Sequence, residues 1–232
     1  TYSDLRNELV ALDDCPGPAV VRRRRLCSTL AGNDCDLLTI TNFLTRDPAA
    51  VRKRAGVVLT ARVHPGESNA SFMMRGCIEF LCSQDPRAIK LRDHFVFKVV
   101  PMLNPDGVIN GNYRCNLAGV DMNRHWAKPD KDKTPPIHHL KLLMEQVRRS
   151  ETCELSLLCD IHGHSKKQNV FLYGCAADAK QGTALPGKRL HERVFAQVLS
   201  QRLGVGFIRH AISLWGHGII HGELLLQVED VA

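Results

Sequence analysis

The sequence has no long apolar run, no start methionine and no internal repeat. No apolar stretch approaches a length of about 18 residues, which a membrane-spanning helix requires, so we expect no transmembrane segment and no membrane partner. The chain opens with Thr1-Tyr2-Ser3-Asp4, which is neither a signal peptide nor a translation start. We therefore expect a piece of a longer protein.

The cysteines do not follow the patterns of a disulfide framework or of a cysteine zinc site. There are 9 of them, an odd number, and no two form a Cys-x-x-Cys pair. Cys77, Cys82, Cys159 and Cys175 lie in apolar stretches, which is typical of reduced core residues. This usage predicts a cytoplasmic protein located in the cytosol.

Positive charge is in excess, with a formal net charge of +7 and a pI near 9.0. Such a balance favours acidic partners, among them nucleic acid, an anionic membrane surface or an acidic protein tail. The basic stretches lack the interleaved aromatic residues of single-strand binders, so we predict no nucleic-acid partner. The most basic run, Arg22 to Arg25, is interpreted as the exposed face of a helix that ends at Gly32. Val20, Val21, Cys27 and Leu30 would face inward.

Apolar runs alternate with helical patterns along the chain. The runs, which are rich in Val, Ile, Leu and Phe on both faces, are 37–41, 57–63, 95–102, 155–161 and 170–173. Apolar residues at helical spacing occupy 72–81, 137–147 and 190–199. The alternation predicts an α/β fold with a mixed, largely parallel sheet covered by helices on both faces. A chain of 232 residues is long enough for one large domain or two small ones, and one domain is the simpler interpretation.

Three side chains that can bind a metal follow two of these runs. His64-Pro65-Gly66-Glu67 comes directly after the run 57–63, and His162 closes the run 155–161. Ligands gather outside the carboxyl ends of strands in open α/β sheets, so His64, Glu67 and His162 are predicted to hold one zinc ion. Two His and one Glu form a catalytic ligand set with an open fourth position. The alternative is a chance His-x-x-Glu motif and a hydrogen-bonded core histidine.

A polar loop at residues 110–124 carries two arginines that suit a ligand site. Arg124, assisted by the Asn123 amide, can clamp a free chain terminus, because a guanidinium forms two parallel hydrogen bonds with a carboxylate. Arg114 can polarise a scissile carbonyl and stabilise its oxyanion. The alternative is that both arginines are surface residues and that the asparagines cap turns.

The chain as a whole resembles the zinc metallocarboxypeptidases, and within them the cytosolic carboxypeptidases that trim glutamates from tubulin and other proteins. The motifs that carry the resemblance are Thr1 to Leu5, Leu30 to Asp34, Leu37 to Asn42, His64 to Ser68, Asn104 to Gly107, Asp121 to Arg124 and Asp160 to Ser165.

The resemblance implies a catalytic-domain fragment that uses one zinc ion to activate a water molecule. By it, His64, Glu67 and His162 bind the metal, Asn123 and Arg124 bind the substrate's terminal carboxylate, and Arg114 is catalytic at the carbonyl. Asp121 would accept a hydrogen bond from His64, as the partner of a ligating histidine normally does. His164 would line the cleft or donate to a ligand. The implied partners are acidic, tubulin-like C-terminal tails, and the implied location is the cytosol, including structures associated with microtubules; no oligomeric state is predicted.

The likeness fades after about Gly206, so we expect a catalytic domain at 1–206 and a divergent segment at 207–232. The family's general base is a glutamate in a late strand near a tyrosine, and 207–232 holds no matching pair. Glu223 and Glu229 are the glutamates in that segment, and the general base is left unassigned. Two alternative functions remain open: a zinc amidohydrolase that acts on N-acyl amino acids, and a truncated peptide-binding product without catalysis.

Overall fold

The computed structural model describes residues 1–14, 17–45, 47–149, 155–164, 170–174, 197–199, 201–202, 207–211 and 223–228. The strands in these ranges are β1 Val21–Ser28, β2 Asp34–Ile40, β3 Ala55–Ala61, β4 Phe95–Val100, β5 Leu155–Gly163, β6 Val170–Gly174, β7 Phe207–Ala211 and β8 Glu223–Val228. The helices are α1 Tyr2–Asp14, α2 Pro48–Arg52, α3 Ser68–Cys82, α4 Pro86–His94, α5 Pro105–Asn110 and α6 Pro135–Arg149, with a 3₁₀ turn at Met122–Arg124.

The eight described strands form one mixed sheet in the order β1-β2-β4-β3-β5-β8-β6-β7. Its central strands β4, β3, β5 and β8 run parallel to one another. The pairs β1 with β2, β2 with β4, and β6 with β8 are antiparallel, while β6 and β7 are parallel. The predicted mixed, largely parallel sheet is confirmed. The boundary predicted at residue 206 remains a prediction.

Helices cover both faces of the sheet, and successive residues of β3 show why. Val57 packs into a cluster that contains Leu9 of α1 and Met74 of α3. Its neighbour Val58 points the other way, into a cluster built around Leu140 of α6. Because side chains alternate across a strand, a central strand with two covered faces needs the continuous apolar run that predicted it. None of the described helices has the length and apolarity to span a bilayer.

The basic run Arg22 to Arg25 lies in β1, so the predicted helix is wrong. β1 is one of the two edge strands of the described sheet and pairs with β2, which follows it after residues 29–33. Acidic neighbours meet two of the arginines: Arg23 lies 3.3 Å from Asp13 of α1, and Arg25 lies 3.3 Å from Asp34 of β2. Charged side chains on an edge strand also discourage pairing with another chain.

Asp-Pro and Asn-Pro pairs mark helix starts in this fold. Asp85 accepts a hydrogen bond from the Arg87 amide at the start of α4, and Asn104 accepts one from the Gly107 amide at the start of α5. In both helices a proline follows the capping residue, where its missing N–H has no partner to lose. Asn104 also donates from Nδ2 to the Val63 carbonyl, 3.2 Å away, so the start of α5 supports the segment that leads into His64.

Candidate active site

Two neighbouring parallel strands bring the predicted metal ligands to one edge of the sheet. Ala61, the last residue of β3, pairs with Ile161 of β5. His64 therefore follows β3 in the chain at the same end where His162 closes β5. Glu67 lies at the turn from this segment into α3. The ligand atoms of His64, Glu67 and His162 all lie within 4.8 Å of one another, as the sequence predicts.

The Glu67 carboxylate lies between the two imidazole rings. Its Oε1 is 2.7 Å from Nδ1 of His64, and its Oε2 is 2.9 Å from Nδ1 of His162. The amide of Gly163 donates to Oε2 over 2.9 Å. Burial alone would raise the pKa of Glu67, but the hydrogen bonds with His162 and His64 outweigh it and lower the pKa to about 2. The carboxyl group is therefore ionised at neutral pH.

The far nitrogen of each ring contacts another carboxylate. Nε2 of His64 is 3.1 Å from Asp121 Oδ1, and Nε2 of His162 is 2.8 Å from Asp160 Oδ2. Burial alone would lower the pKa of His162, but the negative charge of Asp160 and the contact with Glu67 raise it to about 10. The pocket thus attracts positive charge strongly. Carboxylates in these positions fix the tautomer and orientation of ligating histidines.

The donor set fits a zinc ion. Two imidazoles and one carboxylate match the composition of catalytic zinc sites, and both Nδ1 atoms face the shared point because each Nε2 is engaged elsewhere. His64 and His162 are 3% and 1% exposed, so a bound ion would be shielded from bulk water on their side. Within the described part of the chain, no second group of three His, Cys, Asp or Glu residues is close enough to hold a metal.

The segment that carries His64 and Glu67 is tightly packed against the polar loop. The amide of Gly66 donates to the Tyr113 carbonyl over 2.8 Å. A Cβ added at Gly66 would lie 2.5 Å from Tyr113 Cδ2 and 2.8 Å from the same carbonyl oxygen. Glycine at this position therefore lets the polar loop approach the metal-binding turn.

Asp121 connects the metal group to Arg114. Its Oδ2 accepts a hydrogen bond of 2.8 Å from Arg114 Nε, while its Oδ1 contacts His64. Burial would raise the pKa of Asp121, but His64 and Arg114 outweigh it and lower the pKa. Arg114 remains partly exposed, with 42% of its side chain accessible. The predicted contact between Asp121 and His64 is present, while its role in catalysis remains a prediction.

Asn123 and Arg124 follow Asp121 in the 3₁₀ turn. Asn123 is buried and its Oδ1 accepts a hydrogen bond of 2.8 Å from the indole of Trp126, so its amino group faces away from that ring. Arg124 is exposed, and its Nη1 lies 3.4 Å from the Asn123 carbonyl oxygen. This side chain is accessible to a substrate, and the carboxylate clamp remains a prediction.

Sequence reasoning missed Asp160 as part of the site. Asp160 and His162 are two residues apart on an extended strand, and such residues share a face. The Asp-x-His spacing at the end of a predicted strand is therefore the sequence signal that indicates a contact between Asp160 and His162. His164 lies one residue past β5, and its ring packs edge-to-face against Phe171 with centroids 5.3 Å apart.

Of the two glutamates in the last segment, the structure describes Glu223. Glu223 is the first residue of β8 and pairs with Leu158, whereas His162 pairs with Gln227. Four residues of strand separate these positions, which is about 13 Å, and this register disfavours Glu223 as the general base. Glu229 lies outside the described residues.

Comparisons with known proteins agree with this geometry. The zinc carboxypeptidase family model matches residues 15–174. Cytosolic carboxypeptidase 2 of Mus musculus is 49% identical over 202 residues, which cover 87% of this chain and 22% of that protein. Cytosolic carboxypeptidase 1 of Homo sapiens is 48% identical over 183 residues, covering 76% of this chain and 15% of that protein.

A solved structure shows the same fold. The metallo-carboxypeptidase from Burkholderia cenocepacia matches with a TM-score of 0.75 and 26% identity, covering 95% of this chain and 58% of that one. The chain spans between 15% and 24% of the length of the curated relatives it matches. A family match over residues 15–174, together with relatives near half identity, means that this chain belongs to the zinc carboxypeptidase family.

Proposed function

We propose that this chain forms the active site of a zinc-dependent carboxypeptidase that removes C-terminal amino acids, chiefly glutamates, from acidic protein tails such as those of tubulin. The observation that carries the proposal is the convergence of His64, Glu67 and His162 to within 4.8 Å. Asp121 and Asp160, placed on the outer ring nitrogens, add the orienting partners that ligating histidines require.

Each polar group of the site has a proposed task. A zinc ion held by the three ligands would polarise the scissile carbonyl and lower the pKa of a water molecule toward about 7. Arg114, held through Nε by Asp121, can direct its terminal N–H groups at the carbonyl oxygen and stabilise its developing charge. Asn123 and Arg124 would bind the terminal carboxylate, which fixes the register of the last peptide bond.

The net charge of the chain supports an acidic substrate, and the names of its relatives support a cytosolic location. The chain carries a net charge of +7, and a positive surface attracts acidic tails and raises their rate of encounter. Its curated relatives at 46–50% identity are named cytosolic carboxypeptidases, which supports a cytosolic location. Association with microtubules is part of the same proposal.

The test combines metal content with peptide cleavage. We expect one zinc per chain by elemental analysis, and loss of C-terminal glutamates from a synthetic acidic peptide by mass spectrometry. Glu67→Ala should abolish both. Glu79→Ala is the matched control, because Glu79 lies exposed on α3, the helix that begins directly after Glu67, and pairs with Arg75; this variant should keep both zinc and activity.

The other outcomes separate the alternatives. A chain that binds no zinc would overturn the proposal. A zinc-loaded chain that hydrolyses an N-acyl amino acid and leaves the peptide intact would indicate an amidohydrolase. A zinc-loaded chain that binds the peptide without cleaving it, while a longer form of the protein cleaves it, would confine the activity to that longer form.

A further inference from the structure

Arg62 has an unusual backbone next to the metal group. Among the residues that the structure describes, it is the one non-glycine residue with a positive φ, at 59°. L residues rarely adopt this left-handed conformation, and where they do, it persists because the surroundings enforce it, often at functional sites. Arg62 directly follows β3 and precedes His64 by two residues. The strained residue therefore begins the segment that delivers two of the three ligands.

The side chain of Arg62 fastens the chain on both sides of Glu67. The residue is 8% exposed. Its Nε donates to the Pro65 carbonyl over 2.8 Å, and its Nη1 donates to the Ser71 hydroxyl over 2.6 Å. Pro65 comes two residues before Glu67, and Ser71 lies in the first turn of α3 after it. One planar guanidinium thus joins the turn to the helix that the turn begins.

Glu67 needs such support because of where it stands. It occupies the N-cap position of α3, yet its side chain makes no capping hydrogen bond. Capping side chains ordinarily accept a hydrogen bond from the first-turn amides. Here the carboxylate faces His64 and His162 instead, so the local helix does not hold it. Burial lowers the pKa of Arg62, and the negative charge of Glu67 opposes that shift, so the two side chains interact electrostatically.

We propose that Arg62 is a positioning residue of the metal centre: its buried guanidinium clamps Pro65 and Ser71 so that Glu67, between them, is held where His64 and His162 converge. This inference rests on the metal-binding role proposed above. Among the described residues, Arg62 donates its hydrogen bonds to Pro65 and Ser71 and not to the ligand atoms, so we expect it to act through the shape of the turn and through its charge.

The experiment measures metal affinity separately from activity. Zinc affinity is determined by competition with a chelator, and ligand geometry by the d–d absorption of the cobalt-loaded chain. Arg62→Gln should weaken zinc binding by about 10-fold to 100-fold, the range seen when groups behind metal ligands are removed, and should alter the cobalt spectrum. Arg62→Lys keeps the positive charge but loses the planar guanidinium that donates in two directions. It should bind zinc more tightly than Arg62→Gln and less tightly than the parent chain.

Two further variants separate the clamp from the strain. Arg62→Gly removes the side chain and relieves the left-handed backbone, and it should lose zinc affinity as Arg62→Gln does. If Arg62→Gly binds zinc as tightly as the parent chain, the clamp is not needed and the inference is wrong. Ser71→Ala removes one of the two contacts and leaves Arg62 in place. Ser71→Ala should show a smaller loss of zinc affinity than Arg62→Gln. If the Arg62 variants do not fold, the zinc affinity of Ser71→Ala decides the proposal.

Arg92→Gln is the matched control for a purely structural role. Arg92 is also a buried arginine, 4% exposed, and it donates to the Leu81 and Ser83 carbonyls at the other end of α3. Its replacement should lower Tm and leave zinc affinity unchanged. If Arg62→Gln and Ser71→Ala likewise lower Tm but bind zinc within twofold of the parent chain, Arg62 is only structural. A parent chain that binds no zinc would instead defeat the proposed function itself.

Discussion

Asp160 and His162 lie two residues apart on β5, and Asp160 Oδ2 is 2.8 Å from His162 Nε2. Both residues are 1% exposed. Thr60 of the neighbouring strand donates to the other carboxylate oxygen over 2.7 Å, so the aspartate is fixed from two sides. A carboxylate at Nε2 keeps one ring proton on that nitrogen, so a metal that displaces the second proton finds the lone pair of Nδ1. The strand itself therefore prepares His162 as a ligand.

Asp160→Asn should weaken zinc binding by about 10-fold to 100-fold. The amide keeps the shape of the carboxylate but removes its negative charge, so the imidazole of His162 donates its Nδ1 lone pair to the metal less strongly. Chelator competition measures the change. Asp36→Asn is the control, since Asp36 is another buried aspartate, paired with Arg6, and it should leave zinc affinity unchanged. Equal affinities for the two variants would mean that Asp160 does not tune the ligand.

Arg114→Gln should reduce kcat much more than it changes zinc affinity. Arg114 reaches the metal group only through Asp121, to which it donates over 2.8 Å, and its exposed N–H groups are those proposed to meet the substrate carbonyl. Removing one donor to a developing oxyanion typically lowers kcat by about 10² to 10³. Steady-state kinetics on a glutamate-ended peptide, with zinc content measured in parallel, test this. An unchanged kcat would remove Arg114 from the proposed chemistry.

The closeness of the three predicted metal ligands, His64, Glu67 and His162, can be predicted from local sequence signals together with the strand pairing, while their binding of a metal remains a prediction. Each ligand stands next to an apolar run, and the parallel pairing of β3 with β5 aligns the two strand ends. The continuous apolar character of 57–63 correctly indicated a strand covered on both faces. The helix at 72–81 was also expected and is found within α3, although its buried face is formed by Met74, Ile78 and Leu81 and Phe72 is 72% exposed.

The wrong helix prediction at Arg22 to Arg25 and the unpredicted backbone of Arg62 both concern positions whose structure depends on contacts with other segments. Arg22 to Arg25 resemble a helix face, but pairing of β1 with β2, together with the acids Asp13 and Asp34, stabilises an edge strand. Local periodicity does not report partners in other segments. The same holds for Arg62, whose strained φ and buried contacts depend on the turn and the helix together. The sequence around Arg62 contains no pattern that predicts its left-handed backbone.

Arg124→Ala should raise KM for peptides with a free C-terminus and have little effect on peptides with an amidated one. The exposed Arg124 is proposed to bind the terminal carboxylate, and a hydrogen bond to a charged group contributes about 1.5 to 3 kcal/mol, or roughly 10-fold to 100-fold in KM. The measurement compares both peptides with both proteins. Arg149→Ala, which changes an exposed arginine at the end of α6, is the control. Equal discrimination by the parent chain and Arg124→Ala would contradict the clamp.

Gly66→Ala and Gly76→Ala should have opposite effects on stability. A Cβ at Gly66 meets Tyr113 Cδ2 at 2.5 Å and the Tyr113 carbonyl oxygen at 2.8 Å; because the second contact is backbone, a side-chain rotation does not relieve it. We expect Gly66→Ala to lower the free energy of unfolding by about 1 to 3 kcal/mol and to weaken zinc binding, since the turn shifts between His64 and Glu67.

A Cβ at Gly76, in the middle of α3, meets nothing within 4 Å, so Gly76→Ala should stabilise the chain by about 0.5 to 1 kcal/mol with zinc affinity unchanged. Urea unfolding and chelator competition give both quantities, and a Gly66→Ala chain that binds zinc normally would show that the metal-binding turn tolerates displacement.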